Sequence, residues 1–154
     1  MNRNATPTVA ALIVAAGSGT RMGGGIPKQF IEINGKPILR YTLEKFQLCS
    51  DIEQIYVILA AEYVNALSEI FVKEWRITKF VRAIVGGAQR YDSVWAGLQH
   101  LGEDVDIVMI HDGVRPFLTP RIMRDSIVAA KRCGAAVVGL TPKDTVKYID
   151  HDHV

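Results

Sequence analysis

Two hydrophobic periods take turns along this chain. The opening run "VAALIVAA" at 9–16 is apolar at every position and is stopped by Gly17, the pattern of a strand covered on both faces. Leu39, Leu43 and Phe46 then recur at helical spacing, and "IYVILA" at 55–60 is a second unbroken apolar run. Tyr63, Leu67, Ile70 and Phe71 return to the helical period. "VRAIV" at 81–85, closed by Gly86 and Gly87, predicts a third strand, and Val94, Leu98 and Leu101 predict the stripe of the next helix. "DIVMIHD" at 106–112 predicts a fourth strand. Thr119 and Pro120 offer an N-cap and a first-turn proline for a helix through Met123, Ile127 and Ala130. "AAVVGL" at 135–140 predicts a fifth strand. Between the first strand and the first helix, "FIEINGKPI" alternates around Asn34 and Gly35, the signature of a tight hairpin.

Strands that alternate with helices in this way predict an α/β fold: a three-layer, open, mostly parallel sheet with helices on both faces. Neither a repeat nor a low-complexity tract nor a linker interrupts the pattern, so the expectation is a single domain over 1–154. The last segment, "TPKDTVKYIDHDHV", holds a strand-like piece with no helix to close over it. It reads as a chain that stops before its fold is finished.

Composition narrows the class. A chain of 154 residues, 49% hydrophobic and 22% charged, has the makings of one globular domain with a core. Arg3 ahead of the first apolar run imitates a secretory signal, but one charge is a thin basic region. The run itself is far short of the roughly 20 apolar residues that span a bilayer. A buried strand in a cytoplasmic protein is the better reading. Eighteen basic against sixteen acidic residues give a net charge of +2, too little for a nucleic-acid coat or a membrane-surface protein. Any anion site must therefore be local. Cys49 and Cys133 fit no metal spacing, and reduced, buried thiols are expected.

Candidate chemistry collects at one end of the predicted sheet. In open parallel sheets, ligands bind outside the carboxyl ends of the strands. The first strand is followed there by "AAGSGTRMGGGIPKQF", with Arg21 and Lys28 and no acid; the third by Gly86, Gly87, Arg90, Asp92 and Ser93; the fourth by Asp112 and Arg115. Glycines let backbone N–H groups approach an anion closely, and fixed cations neutralise phosphate oxygens. A solvated turn would use the same glycines, but position and the two cations favour a polyphosphate site. Two familiar phosphate motifs fail. Met22 stands where the GxGxxG fingerprint needs its third glycine, and no acid ends the second strand to hold a ribose. A P-loop needs Ser or Thr directly after its lysine, and Gln29 follows Lys28.

As a whole, the 15–30 segment resembles the signature loop of nucleotidyltransferases that charge sugar or polyol phosphates. Among them it is most similar to the 2-C-methyl-D-erythritol 4-phosphate cytidylyltransferase family. "GGAQRYDSVWAGL", "IHDGVRPFL" and "TPKDTVK" agree in order and spacing, so the resemblance covers nearly the whole chain. It implies transfer of CMP from CTP to methylerythritol phosphate with release of pyrophosphate. Ala15, Ala16, Gly17 and Gly19, with Gly87, Ala88 and Ser93, would hold the nucleotide, largely through backbone groups. Arg21 and Lys28 would grip the triphosphate as the catalytic cations. Asp112, Arg115 and Thr145 would face the polyol phosphate, with Asp112 also helping to hold Mg²⁺. Asp92 reads better as a helix-terminus residue.

Relatives continue past "KDT" with an arm that swaps across a dimer interface and with a late lysine in the phosphate cluster. The resemblance thus implies a homodimer at full length and a C-terminal part that is missing here. Gly113 and Val114 replace the two alanines usual in the family. Ribitol-5-phosphate cytidylyltransferases share these motifs, although their loop more often reads Ala-Gly-Gly where this chain has Ala15, Ala16 and Gly17. A truncated, non-catalytic CTP-binding module is the alternative from another class. Asp112 and Arg115 also read as a strand-end salt bridge, His111 as a satisfied interior histidine and His100 as a surface one. The terminal "HDHV" lacks the scaffold of a metal site.

Overall fold

The computed structural model describes residues 6–17, 26–143 and 145. Strand β1 (Val9–Val14) runs through the middle of a four-stranded sheet ordered β5-β4-β1-β6, flanked by β4 (Gln54–Leu59) and β6 (Ile107–Asp112), with β5 (Phe80–Val85) outermost. Every pairing in it is parallel. The strand period of two sorts β1 cleanly. Val9, Ala11 and Ile13 enter one core, and Ala10 and Leu12 enter the other.

Helices α1 (Ile38–Leu48), α2 (Ala61–Lys73) and α4 (Pro120–Cys133) contribute Leu39, Leu43, Phe46, Phe71, Met123 and Ile127 to the first core. Helix α3 (Arg90–Leu98) covers the other face with Val94, Ala96 and Leu98. Handedness explains the split. The chain steps outward from β1 to β4 to β5 and then returns past β1 to β6, so a right-handed crossover must carry α3 on the opposite face. Gly97 lets α3 lie close, since a Cβ there would stand 2.5 Å from Leu12 Cδ1.

The short strands β2 (Glu32–Ile33) and β3 (Lys36–Pro37) form the expected antiparallel hairpin. Asn34 (φ 51°) and Gly35 (φ 71°) both take the left-handed backbone that such a turn demands. The Tyr41 hydroxyl, on α1, donates to Ile33 O at 2.8 Å and ties the hairpin down. Thr119 caps α4 by accepting the Ile122 N–H at 3.3 Å, and Pro120 opens it.

Two expectations need correction. Residues 135–140 form no strand: Val137 and Leu140 are 96% and 95% exposed. Residues 134–138 line a groove of about 1140 Å³ together with β6, so the apolar run lies across a gap from the β6 edge. Among the cysteines, Cys49 is buried as expected, but Cys133 is exposed at the last residue of α4. Among the described residues, no helix is long and apolar enough to cross a membrane.

Candidate nucleotide site at the sheet rim

Strand order reverses at β1, with β4 on one side and β6 on the other. That reversal opens a crevice at the carboxyl ends of the strands. Three loops meet there. The tip of β1 is wedged between the other two: a Cβ at Gly86 would lie 2.4 Å from Ala16 Cβ, and a Cβ at Gly113 would lie 2.9 Å from Ala15 Cβ. The Gly113 N–H donates to Val14 O and the Ala15 N–H to Ile58 O, each at 2.8 Å. Backbone bonds thus tie the tip of β1 to β4 and to the loop that follows β6, while Gly86 of the loop after β5 packs against Ala16.

Asp112 closes β6 and anchors a cluster of charge among the described residues of the rim. Its Oδ1 accepts from the Arg90 guanidinium at 3.0 Å, and its Oδ2 forms an ion pair with Arg115 Nε at 3.0 Å. The Asp112 side chain is 24% exposed, whereas those of Arg90 and Arg115 are 60% and 73% exposed. One carboxylate held between two guanidiniums leaves a net positive charge and most of ten N–H donors facing outward. The loop carrying Asp112 is pinned from behind. Thr42 Oγ1, buried on α1, donates to Gly113 O at 2.7 Å, and His111 Nε2 lies 2.9 Å from Arg115 O with its ring against Phe46.

On the β5 side, Ser93 is buried and faces its own loop. Its Oγ accepts the Gly87 N–H at 3.1 Å and lies 3.2 Å from Gln89 O. Asp92 sits at N3 of α3, where its carboxylate accepts the Gln89 N–H at 3.0 Å in a capping box, the helix-terminus role expected of it. Ala88 is exposed beside them.

Lys28 opens a short 3₁₀ turn (Lys28–Phe30) and is half-buried. Its neighbour Gln29 is 3% exposed, and Nε2 donates to Ala15 O at 2.8 Å and to Gly17 O at 3.1 Å. The segment bearing Lys28 is therefore bonded directly to the tip of β1.

Of the residues singled out from the sequence, the structure brings together Ala15, Ala16, Gly17, Gly87, Ser93, Asp112 and Arg115. Gly19 and Arg21 lie outside the described residues, and Thr145 is described only as exposed. Arg90, which the sequence already placed in the loop after the third strand, belongs to the rim as well, and so do Gln29 and Thr42. Gln29 and Thr42 had no visible signal, because a buried amide or hydroxyl that serves backbone carbonyls leaves no periodic trace. Among the described residues no three acidic, histidine or cysteine side chains cluster as a metal cage.

An open parallel sheet with glycine loops and guanidiniums at its switch point is the architecture of an α/β nucleotidyltransferase fold. Comparison with known proteins takes this further. The family profile described as 2-C-methyl-D-erythritol 4-phosphate cytidylyltransferase matches residues 9–154, and the chain belongs to that family. A relative of that name from Clostridium botulinum (strain Loch Maree / Type A3) is 43% identical over 136 residues, covering 88% of this chain and 59% of the relative. Another, from Clostridium novyi (strain NT), is 44% identical over 142 residues, covering 92% of this chain and 61% of the relative. The solved 4-diphosphocytidyl-2C-methyl-D-erythritol synthase from Anaerococcus prevotii DSM 20548 superposes with a TM-score of 0.82 at 29% identity, over 97% of this chain and 63% of that one. The chain thus spans about three-fifths of the length of the relatives it matches.

Proposed function

We propose that this chain carries the nucleotide half of a cytidylyltransferase that transfers CMP from CTP to 2-C-methyl-D-erythritol 4-phosphate. The observation that carries the reading is the convergence of three rim loops on the tip of β1, with Asp112 held between Arg90 and Arg115. Family membership supplies the substrates. A polyol phosphate oxygen attacks the α-phosphorus of CTP, the bond to the β-phosphate breaks, and pyrophosphate leaves. The nucleophile is already an anion, so no general base is required. The chain's task is to bring two anions together and to stabilise charge on the five-coordinate phosphorus.

In this reading Lys28 and Arg21 grip the triphosphate. Ala15 spends its N–H on Ile58 O and its carbonyl on Gln29, and Gly17 gives its carbonyl to the same amide, so polar contacts to the base and ribose fall to the N–H groups of Ala16 and Gly17. Gly87, Ala88 and Ser93 shape the opposite wall, Ser93 by holding Gly87 in place. Arg115 and Arg90 receive the polyol phosphate, and Thr145 joins them.

The rim also fits a divalent cation. Mg²⁺ takes one or two carboxylates together with substrate phosphates and water, and needs no all-protein cage. Asp112 offers that single carboxylate, with lone pairs beyond those used by the two arginines. When bound, the cation would neutralise phosphate charge and polarise the α-phosphoryl group.

The testing experiment supplies CTP, Mg²⁺ and each acceptor in turn, and follows pyrophosphate. Release with methylerythritol phosphate alone supports the proposal. Release with ribitol 5-phosphate alone reassigns the acceptor, and CTP binding without release leaves a binding module.

A further inference from the structure

We infer that Gln29 is a positioning residue that sets the nucleotide-facing side of the β1 tip, an inference that rests on the CTP reading above. Gln29 is 3% exposed, and one side-chain nitrogen serves two backbone carbonyls, Ala15 O at 2.8 Å and Gly17 O at 3.1 Å. Two acceptors require the amide NH₂ on that side, so its orientation is fixed by chemistry. The described peptide bonds are trans. In a planar trans peptide the N–H points opposite the carbonyl. Drawing Ala15 O toward Gln29 therefore turns the Ala16 N–H away from it. Among the described residues that N–H has no backbone acceptor. It is an oriented donor at the point where the loops after β5 and β6 flank β1.

The same bond couples two parts of the site. Gln29 follows Lys28 directly, so clamping the Gln29 side chain to the end of β1 also sets where the Lys28 backbone stands relative to the Ala16 donor. Binding of base and ribose at the tip and of phosphate at the lysine then share one geometric reference. Neither loop could drift without breaking a buried hydrogen bond.

The test measures CTP affinity by calorimetry, with Mg²⁺, for the wild-type chain, Gln29→Glu and Phe71→Leu. The glutamate is nearly isosteric but, when ionised, presents only acceptors to the two carbonyls. Phe71 lies in the core at the C-terminal end of α2 and packs on Phe80, at the end of β5 remote from the rim. Expected is a loss of affinity of about tenfold or more in Gln29→Glu, the scale of a broken buried hydrogen bond. Phe71→Leu should bind as the wild type does. Unchanged affinity in Gln29→Glu, or an equal loss in Phe71→Leu, overturns the inference. Should Gln29→Glu fail to fold, hydrogen exchange of the Ala16 amide in the wild-type chain decides: slowing by CTP supports the orientation, and no slowing overturns it. A wild-type chain that binds no CTP defeats the nucleotide reading itself, and the inference with it.

Discussion

Lys28 and Gly86 show two ways in which one residue can matter at the rim. Lys28 contributes charge and little packing, being half-buried on a short turn. Lys28→Ala should lower kcat by about a hundredfold or more, the size of losing one transition-state donor, with little change in Tm. Steady-state kinetics beside a thermal melt checks both halves. Gly86 contributes an absence. A methyl there would meet Ala16 Cβ at 2.4 Å and Ser93 Oγ at 2.8 Å, neither of them the end of a long flexible chain. Gly86→Ala should destabilise the protein by about 1–3 kcal/mol and weaken CTP binding together, because relief requires moving the tip of β1 or the start of α3. Urea unfolding and nucleotide titration of the same sample would show it. The lysine and the glycine were both legible in the sequence, since charge type and glycine content announce themselves. The clamps Gln29 and Thr42 were not, because they act on backbone brought near only by folding.

At the scale of elements, α1 and the β2–β3 hairpin form a unit that holds the Lys28 segment against the sheet. Glu44 of α1 joins them by accepting from Lys36 at 2.6 Å and from Arg40 at 3.0 Å. Partial burial works to raise the Glu44 pKa, yet the hydrogen bonds and charges of Lys36 and Arg40 together outweigh it and hold the carboxyl below its ordinary value. A depressed carboxylate contributes stability above its unfolded pKa and loses it as pH falls through the folded one. Glu44→Gln should therefore cost about 1 kcal/mol or less near neutrality, and that gap should close below the ordinary carboxylate range near 4. Urea melts of both proteins across this range provide the check, and a gap that persists in acid would contradict the ion pair. Elements were where the sequence spoke most clearly. Four strands, the Asn34–Gly35 turn and the Thr119 cap follow from side-chain period and turn chemistry. Residues 135–140 escaped that logic. Apolar composition states that a segment gains from burial, but pairing also needs a neighbouring edge, and the groove beside β6 separates the two.

For the whole molecule, the decisive feature is a topological one. Because β6 returns to the far side of β1, the ends of β1 and β6 become adjacent, and α3 is carried to the second face with its capping box beside them. Residues 15–17, 86–89 and 112–115, far apart along the chain, become one rim. Their meeting at the carboxyl edge was readable in advance from the alternation of strands and helices, which makes the sheet parallel and gathers the loops after its strands at one end, whereas Arg90 reaching Asp112 was not, since that contact depends on how far α3 is rotated over the sheet. The rim's character follows from this assembly: closely packed backbone at the centre and guanidiniums at the margin. The measurement that bears most directly on it is calorimetric titration of the folded chain with CTP in the presence of Mg²⁺. A saturable, one-to-one heat below millimolar CTP, lost or much weakened in Lys28→Ala, is the expected result; a folded sample that gives no heat at millimolar CTP would contradict the account.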